Sequence, residues 1–554
     1  DGDLDILAYD VFGSKITWYK NMRVEQALPC DSIIMTEFDL CWGKFYQGIA
    51  RTMSLNISCK GGEASGKKYR HTGNTIVHLD IDGDGDYDLL GGNISYNDIQ
   101  LLYNSNTNMI IAQDTNYNQN GHKLELPSWP SPAHVDIDND GDRDIIVTTH
   151  SDNLSTANYN NVAWYKNNGT DANPVFVYQH DTLLTPQMID VGSFSYPTFF
   201  DYDKDGKPDL FVGTEGYFNN ASATLTSKMA YYRNTSTSGN SSFELITKDF
   251  LNLSTSNYNG IFPTFGDVTG DGVDDLVLGN VDGNIKVYRN FAPNNNVQPN
   301  FIFLTDSLPG VDVGSHSMPL VFDFNQDGKT DLLVGNKLGK IVYFEDTSST
   351  NQKKLALTTI SLGNVSAGSV GQLFGYAAPT IAKMDNLQKE YLVLGNVDGT
   401  IERYDNFKNN WGSFQKVDSN YSMIQTTFRS VPAIADIDGN GQFEMVVGNS
   451  LGGLHYYKQV LNVVGVPELA FNPLLVDIYP NPASTVLYIR FQQELIDTSM
   501  SAALFDISGR CVQKHKLVSD RVNQLSLEGL SHGLYVLQIQ AGSNRLCKKV
   551  FVMP

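Results

Sequence analysis

Six nine-residue loops in this 554-residue chain repeat one pattern of oxygen-bearing side chains around a glycine. Positions 1, 3 and 5 carry Asp, Asn or Thr, position 6 is Gly, and position 9 is a carboxylate. The residues at positions 1, 3 and 5 are Asp80, Asp82, Asp84; Asp136, Asp138, Asp140; Asp201, Asp203, Asp205; Asp267, Thr269, Asp271; Asp323, Asn325, Asp327; and Asp436, Asp438, Asn440. The residues at position 9 are Asp88, Asp144, Asp209, Asp275, Asp331 and Glu444.

Position 7 of these loops tolerates any side chain. Its occupants are Asp86, Asp142, Lys207, Val273, Lys329 and Gln442. Because the side chain at position 7 varies while its place in the loop is constant, the simplest role for this position is as a ligand through its backbone carbonyl. The invariant glycine at position 6 indicates a sharp turn with positive φ.

This ligand pattern is typical of a calcium loop. Several hard oxygens without His or Cys favour Ca²⁺ over zinc or copper, and a flexible, carboxylate-rich loop favours it over Mg²⁺. Asp, Asn and Gly also make good turns, but an ordinary turn does not need three or four carboxylates that repel one another. We therefore expect about six structural Ca²⁺ sites, which would change the formal net charge from −22 to −10.

The spacing of the loops indicates a repeat protein. A degenerate seventh copy lies at Lys383–Tyr391, and Asp1–Asp5 match the last five positions of an eighth copy. Short apolar runs flank every loop, and an aromatic strand and a more variable strand follow, which makes four antiparallel strands per unit. We therefore expect an all-β fold containing a β-propeller, with eight blades favoured and seven possible. The first strand of the first blade would lie before residue 1, so we expect an N-terminally incomplete propeller.

Composition excludes several classes of partner. A net charge of −22 opposes binding to nucleic acid. No apolar run approaches the ~18 residues of a membrane span. Five cysteines, in one cluster near each end, are compatible with disulfides in an oxidising compartment, and their pairing stays open.

The loops also resemble a known family. Together with strands such as "DLLVGN" at Asp331–Asn336, the DxDxDGxxD loops resemble the FG-GAP or VCBS repeats of the integrin-α-type propeller over residues 1–460. The resemblance implies that calcium supports the scaffold and that ligands bind on the opposite face or at its edge. On that face, the connections Thr149–Asn161 and Glu215–Lys228 are candidate binding surfaces.

The repeats end near residue 460, and a linker over 461–475 leads to a second domain over 476–554. Alternating strands with NP and SGR turns predict a small Ig-like β-sandwich. Tyr479–Pro482 (YPNP), Asp506–Arg510 (DxxGR), Leu530–Tyr535 and Lys548–Val552 resemble the type A C-terminal sorting domain of type IX secretion cargo. The resemblance implies export through the periplasm to the outer surface of a bacterium, with recognition by the translocon and its outer-membrane shuttle protein.

Two functions fit these features. The favoured one is a secreted, calcium-clamped propeller that binds a glycan or a protein in adhesion or gliding motility. The alternative is a secreted polysaccharide-degrading lyase or hydrolase. No catalytic motif supports the second, because the one GxSxG match, Gly448–Gly452, occupies a turn that other repeats share and lacks a strand-to-helix context.

Overall fold

The computed structural model divides the chain into two compact units, residues 1–459 and 460–554. The described residues are 3–10, 13–29, 33–48, 51–58, 74–105, 107–119, 122–126, 129–149, 158–185, 188–219, 222, 224–349, 353–384, 389–459, 476–491, 500–506, 510–518, 522–541 and 544–553. The expected linker therefore lies outside them.

The first unit contains one antiparallel sheet for each of the eight repeats, numbered sheets 1 to 8 in chain order. Sheet 1 contains β1 Ile6–Tyr9, β2 Ile16–Asn21 and β3 Met35–Trp42; sheet 2 contains β4 Asn74–Leu79, β5 Asp88–Asn93, β6 Gln100–Tyr103 and β7 Ala112–Asp114; and sheet 3 contains β10 Pro130–Val135, β11 Asp144–Thr149, β12 Val162–Asn167 and β13 Phe176–His180. Sheet 4 contains β14 Ser193–Phe200, β15 Asp209–Asn219, β16 Thr224–Thr226, β17 Met229–Asn234 and β18 Phe243–Thr247; sheet 5 contains β19 Phe262–Gly266, β20 Asp275–Gly279, β21 Ile285–Asn290 and β22 Phe301–Thr305; and sheet 6 contains β23 Met318–Phe322, β24 Asp331–Gly335, β25 Ile341–Asp346 and β26 Leu355–Thr359. Sheet 7 contains β27 Ala378–Lys383, β28 Glu390–Gly395, β29 Ile401–Asp405 and β30 Gln415–Asp418, and sheet 8 contains β31 Val431–Ala435, β32 Glu444–Gly448 and β33 Leu454–Lys458. A hairpin of β8 Asn118–Gln119 and β9 His122–Lys123, and short 3-10 helices over Phe250–Ser256, Leu362–Asn364 and Tyr421–Met423, complete the described elements of this unit.

In sheets 2 to 6 and in sheet 8 the first two strands form a hairpin around the nine-residue loop. The second strands are apolar on both faces, and β20, β24 and β32 are buried along their whole length. A strand that is buried on both faces must lie between other layers, which here are the neighbouring sheets. The loops consequently share one end of the sheets, and the entrances of the first strands share the other.

The first strands of sheets 4 to 8 contact one another in a cycle. β14 packs against β19, β19 against β23, β23 against β27, β27 against β31, and β31 against β14. A glycine lies at each of these five junctions, four residues after position 9. A Cβ at any of them would lie 1.8–2.0 Å from a backbone carbonyl at the entrance of a neighbouring first strand, so only glycine permits the approach. These junction glycines are Gly213, Gly279, Gly335, Gly395 and Gly448.

Hydrogen bonds join the last sheet of this cycle to the first. The Ser195 amide donates to the Asn449 carbonyl at 3.0 Å, and the Asn449 amide donates to Ser195 Oγ at 2.9 Å. The same reciprocal pair joins Ser317 to Asn280 and Ser430 to Asn396. The junction between the sequence-distant sheets 8 and 4 is therefore built like the junctions between consecutive sheets.

Sheets 1 to 3 lie outside this cycle. They pack side by side, with shared buried clusters between sheets 1 and 2 and between sheets 2 and 3. Gly92 makes the junction from sheet 2 to sheet 3, but Thr148 occupies the corresponding position in sheet 3. The first strand of sheet 4, β14, docks on Gly448 of sheet 8. Eight sheets are present, but this packing does not give the single ring of eight or seven blades that we expected.

The second unit has two sheets that share one buried core. Its strands are β34 Val476–Tyr479, β35 Val486–Phe491, β36 Met500–Phe505, β37 Cys511–Leu517, β38 Asn523–Ser526, β39 Gly533–Ala541 and β40 Asn544–Val552. Leu487 and Leu525 of one sheet pack with Leu537 and Val550 of the other. This arrangement agrees with the expected sandwich.

Two sequence motifs of this unit have clear structural roles. Asn481 of the YPNP motif donates to the Lys549 carbonyl at 2.8 Å and accepts from the Phe551 amide at 2.9 Å, which fastens the first turn to the last strand. The Arg510 guanidinium and amide both donate to the Asp506 carboxylate. The first motif therefore holds its turn against β40, and the second joins the end of β36 to the start of β37.

No described helix is long and apolar enough to cross a membrane. Cys41 is disulfide-bonded, whereas Cys511 is a free, exposed thiol. Cys30 and Cys59 lie outside the described residues.

Candidate metal centres and the opposite face

The aspartate at position 1 shapes each loop. One of its oxygens accepts a hydrogen bond from the amide of the position 6 glycine, at 2.9–3.2 Å in all six loops. The φ angle of that glycine lies between 83° and 100°, as the sequence predicted. This bond closes the loop. The second oxygen of position 1 accepts further loop amides in four loops, whereas in Asp136 and Asp201 it has no hydrogen-bond partner among the described residues.

The side chain at position 5 binds the backbone amide of position 7. In all six loops its side-chain oxygen accepts the position 7 amide at 2.7–3.1 Å. Where position 7 is lysine, the side chain leaves the loop, since Lys207 and Lys329 donate to the carbonyls of Ser236 and Ser348. Position 7 thus joins the loop by its main chain, and the role of its carbonyl as a ligand stays a prediction.

The carboxylate at position 9 is buried and fastens the loop to the third strand. Asp88 Oδ1 accepts from the Asn104 amide at 2.7 Å, and Oδ2 accepts from the Ile81 amide at 3.1 Å. The other four aspartates at this position make the equivalent pair of bonds. Asp5 accepts from the Asn21 amide in the same way, which agrees with its assignment to an eighth copy.

Sequence reasoning missed one group of residues that support position 9. Trp164 Nε1 donates to Asp144 at 3.0 Å, and Trp18 Nε1 donates to Asp5 at 2.9 Å. Tyr231 and Tyr343, at the same place in their third strands, donate to the position 9 carboxylates of their own loops. The sequence signal was a Trp or Tyr three places before the Asn or Asp that ends the strand.

Four loops bring three carboxylates close enough to hold one ion. Their ligand oxygens lie within 4.8 Å of one another. These groups are Asp80, Asp82, Asp88; Asp136, Asp138, Asp140; Asp201, Asp203, Asp209; and Asp436, Asp438, Glu444. The other two loops have Thr269 or Asn325 at position 3, where a neutral oxygen replaces a carboxylate.

Unpaired buried oxygens show that these loops fit a cation. Four loop oxygens are buried and have no hydrogen-bond partner among the described residues. They are Asp136 Oδ1, Asp201 Oδ1, Thr269 Oγ1 and Glu444 Oε1. A buried acceptor without a donor is costly unless another positive group satisfies it. The donor set contains only oxygen, as a hard cation requires.

The electrostatics also favour a bound positive charge. Burial raises the pKa of Asp88 and of Asp275 to about 6, and it raises the pKa of Asp209 as well. Basic side chains of the third strands approach some loops from outside. Lys166 pairs with Asp138 and Asp140, and similar pairs join Arg233 to Asp203, Arg289 to Asp271 and Lys458 to Asp438. These basic groups are 29–46% exposed, so water weakens the pairs.

In the degenerate seventh copy, a buried aromatic side chain takes the place of the position 9 carboxylate. Tyr391 occupies position 9 and is buried, with the Arg403 guanidinium 4.4 Å from its ring centroid. β27 and β28 keep the hairpin register of the other sheets. Residues 385–388 of this copy lie outside the described part of the chain.

The end of the sheets opposite the loops contains a pocket of about 400 Å³. It is lined by Tyr159, Tyr217, Phe218, Asn219, Thr226, Lys228 and Ser254. Tyr159 belongs to one candidate connection and Tyr217 to the other, and their rings meet edge to face at 5.0 Å. The Tyr217 hydroxyl is buried without a partner among the described residues. Residues 150–157, 220–221 and 223 of these connections are outside that set.

Comparison with known proteins identifies two sequence families. Residues 477–553 match the secretion system C-terminal sorting domain, and residues 136–212 and 267–334 match the FG-GAP-like repeat. No curated protein matches the chain significantly.

Similar solved structures include the extracellular domain of a hybrid two-component system from B. thetaiotaomicron, with 11% identity and a TM-score of 0.23 over 99% of this chain and 83% of that one. Another is a fructofuranosidase from Schwanniomyces occidentalis, with 10% identity and a TM-score of 0.30 over 66% and 91%. Likenesses this weak carry no argument about function.

Proposed function

We propose that this chain, which carries FG-GAP-like repeats and a type IX sorting domain, is a calcium-stabilised binding protein of the bacterial cell surface. The sorting domain indicates handling by the type IX secretion machinery and export to the surface. The engagement of residues 476–554 by the translocon and its shuttle protein, and a role in adhesion, are part of the proposal.

The buried unpaired loop oxygens are the observation that carries the proposal. Six loops with the same hydrogen-bonded frame would each hold one Ca²⁺, with positions 1, 3 and 5 as side-chain ligands and position 7 as a carbonyl ligand. Position 9 would contribute both to the ion and to the third strand. Calcium would then clamp the hairpin of each sheet and offset the repulsion between its carboxylates.

The cyclic packing of sheets 4 to 8 supports a five-bladed propeller, with sheets 1 to 3 as an N-terminal extension. The first strands surround a central cavity of about 180 Å³. Two large buried residues, Tyr196 and Phe262, pack together at its wall. Identical glycine junctions would hold neighbouring blades together around the whole ring.

The face opposite the loops supports a binding role. Val370, Leu373 and Met423, in its strand connections, are highly exposed apolar residues. Such residues mark interaction surfaces when they are grouped. The pocket around Tyr217 combines aromatic rings with amide, hydroxyl and ammonium groups, which is the chemistry of a carbohydrate site.

A glycan array with the calcium-loaded full chain tests the binding role. We expect binding of surface polysaccharide fragments that a Tyr217→Ala variant loses, because Tyr217 lines the pocket. Tyr456→Ala removes a half-exposed tyrosine of the last sheet as a control and should leave binding unchanged. Absence of glycan binding by the correctly folded protein would contradict the carbohydrate role.

A further inference from the structure

Five equivalent residues at the entrances of the first strands have a left-handed backbone. Each lies three residues before the proline of its strand, and φ ranges from 50° to 82°. They are Phe194, Gly260, His316, Tyr376 and Arg429. Glycine is the residue that this conformation favours, yet four of the five positions carry large side chains. Unfavourable backbone conformations of this kind concentrate at functional sites.

These side chains stack on one another. The Arg429 guanidinium lies between the rings of Phe194 and Tyr376, 4.3 and 3.8 Å from their centroids. His316 meets the Tyr376 ring edge to face at 4.9 Å. Because the five first strands form a cycle, their entrances surround one axis, and the stack lies around it.

A carboxylate completes the group. Glu215 Oε1 accepts from the Tyr196 hydroxyl at 2.7 Å and from Arg429 Nη1 at 2.9 Å, and His316 Nε2 lies 3.7 Å away. Glu215 Oε2 accepts no hydrogen bond from any described residue. The Glu215 side chain is 12% exposed, so this second oxygen is a nearly enclosed acceptor.

Lys337 supplies a second cation. Its ammonium lies 4.3 Å from the Phe374 ring centroid and 5.9 Å from that of Tyr376. The Lys337 amide donates to the Ser315 carbonyl, and its own carbonyl accepts from the Tyr376 amide, which fixes the residue beside the stack. Within the described part of the chain, its ammonium forms no ion pair or hydrogen bond. It therefore retains its donors for a ligand.

We name these residues the axial cluster. They are Tyr196, Glu215, His316, Lys337, Tyr376 and Arg429. Burial lowers the pKa of His316 to about 3, so this ring is neutral at physiological pH. With two cations and one carboxylate, the cluster carries one net positive charge in a chain whose net charge is −22.

We propose that the axial cluster binds an acidic sugar residue. A sugar hydroxyl donates to Glu215 Oε2, and the sugar carboxylate accepts from the Lys337 ammonium. A ligand needs both a donor and an anionic group to use these two atoms, and a uronic acid carries both. This inference rests on the binding role proposed above and names its ligand class.

The same geometry argues against glycoside cleavage at this place. Hydrolysis of a glycosidic bond generally uses two carboxyl groups on either side of the bond. Glu215 is the one carboxylate of the axial cluster, and one of its oxygens is bound to Tyr196 and Arg429. The cluster therefore has the chemistry of a binding site.

Calorimetric titration of the calcium-loaded full chain tests the inference. The probes are a disaccharide ending in glucuronic acid and the corresponding disaccharide ending in glucose. We expect the acidic probe to bind about tenfold more tightly, the difference between a charge-assisted and a neutral hydrogen bond. Lys337→Gln should abolish this preference while leaving the melting temperature unchanged.

Two controls separate the possible outcomes. Lys354→Gln removes an exposed lysine just before β26 and should keep the preference. Glu215→Gln should weaken both probes, because it removes the acceptor charge. Equal affinity for the two probes, or an unchanged preference in Lys337→Gln, would overturn the axial site. If the chain then still bound a neutral glycan in a way that depends on Tyr217, the proposed carbohydrate-binding role would remain supported. Acetate that binds as tightly as the acidic probe would exclude a sugar site.

Discussion

Positions 3 and 7 carry the same charge in the loop that begins at Asp80, but they have different roles there. In the loop that begins at Asp80, both Asp82 and Asp86 are aspartates, and both are exposed or half-exposed. Asp82 shares a group of close ligand oxygens with Asp80 and Asp88, whereas position 7 enters the loop through its amide. This pair allows the effect of a ligand to be separated from the effect of a charge.

We expect Asp82→Asn to weaken calcium binding at this loop and Asp86→Asn to leave it nearly unchanged. Removing a charged ligand lowers affinity, while a backbone ligand does not depend on its side chain. Native mass spectrometry at limiting calcium should show one ion fewer in the first variant alone. Equal losses in both variants would mean that charge alone, and not coordination, governs binding.

The aromatic side chains that donate to the position 9 carboxylates allow a second test of single residues. Trp164→Phe removes the hydrogen bond to the buried Asp144 carboxylate and keeps most of the ring packing. We expect a loss of about 1.5–3 kcal/mol in the free energy of unfolding, as for other bonds to charged groups. Urea unfolding measures it, and Trp411→Phe at a half-exposed site is the control. A smaller loss than in the control would contradict a structural role for Trp164.

At the scale of elements, glycine junctions determine which sheets pack together. Gly448 lets the last sheet reach the Ser195 carbonyl of sheet 4. Gly453, five residues later, has no atom near the place of an added Cβ. The two glycines therefore differ in the space that an added side chain would meet.

Gly448→Ala should therefore destabilise the first unit by about 1–3 kcal/mol, the usual cost of overpacking. Gly453→Ala should be nearly neutral. Thermal unfolding compares the two variants. Equal melting temperatures would show that sheet 8 does not dock on sheet 4.

Most of the elements and their local conformation could be predicted from the sequence, but the way in which the sheets pack together could not. The loops, the positive φ of their glycines and the four-strand units follow from local patterns and were predicted. The grouping of the sheets was not, although Thr148 in place of a junction glycine was visible in the sequence. The partnership of Glu215 with Arg429 could not be predicted, because 214 residues separate them and only the cycle brings them together.

At the scale of the whole molecule, the two units have separate cores, and the proposed calcium sites lie in only one of them. All six complete loops lie in the first unit, and the second has a buried core of its own. A ligand that binds only the folded state raises its stability. The two units should therefore respond differently to chelation.

Calorimetry of the full chain should show two unfolding transitions. We expect a chelator to lower the melting temperature of the first unit's transition and to leave the second unit's transition unchanged, as judged against residues 476–554 expressed alone. Equal shifts of both transitions would contradict separate units with calcium confined to the repeats.

The calcium content of the dialysed full chain tests the central claim most directly. Six complete loops predict about six tightly bound Ca²⁺ per chain, measured by elemental analysis and by titration of the chelated protein. Fewer than one bound ion per chain at millimolar calcium would contradict the account, because the buried loop oxygens would then have no cation to satisfy them.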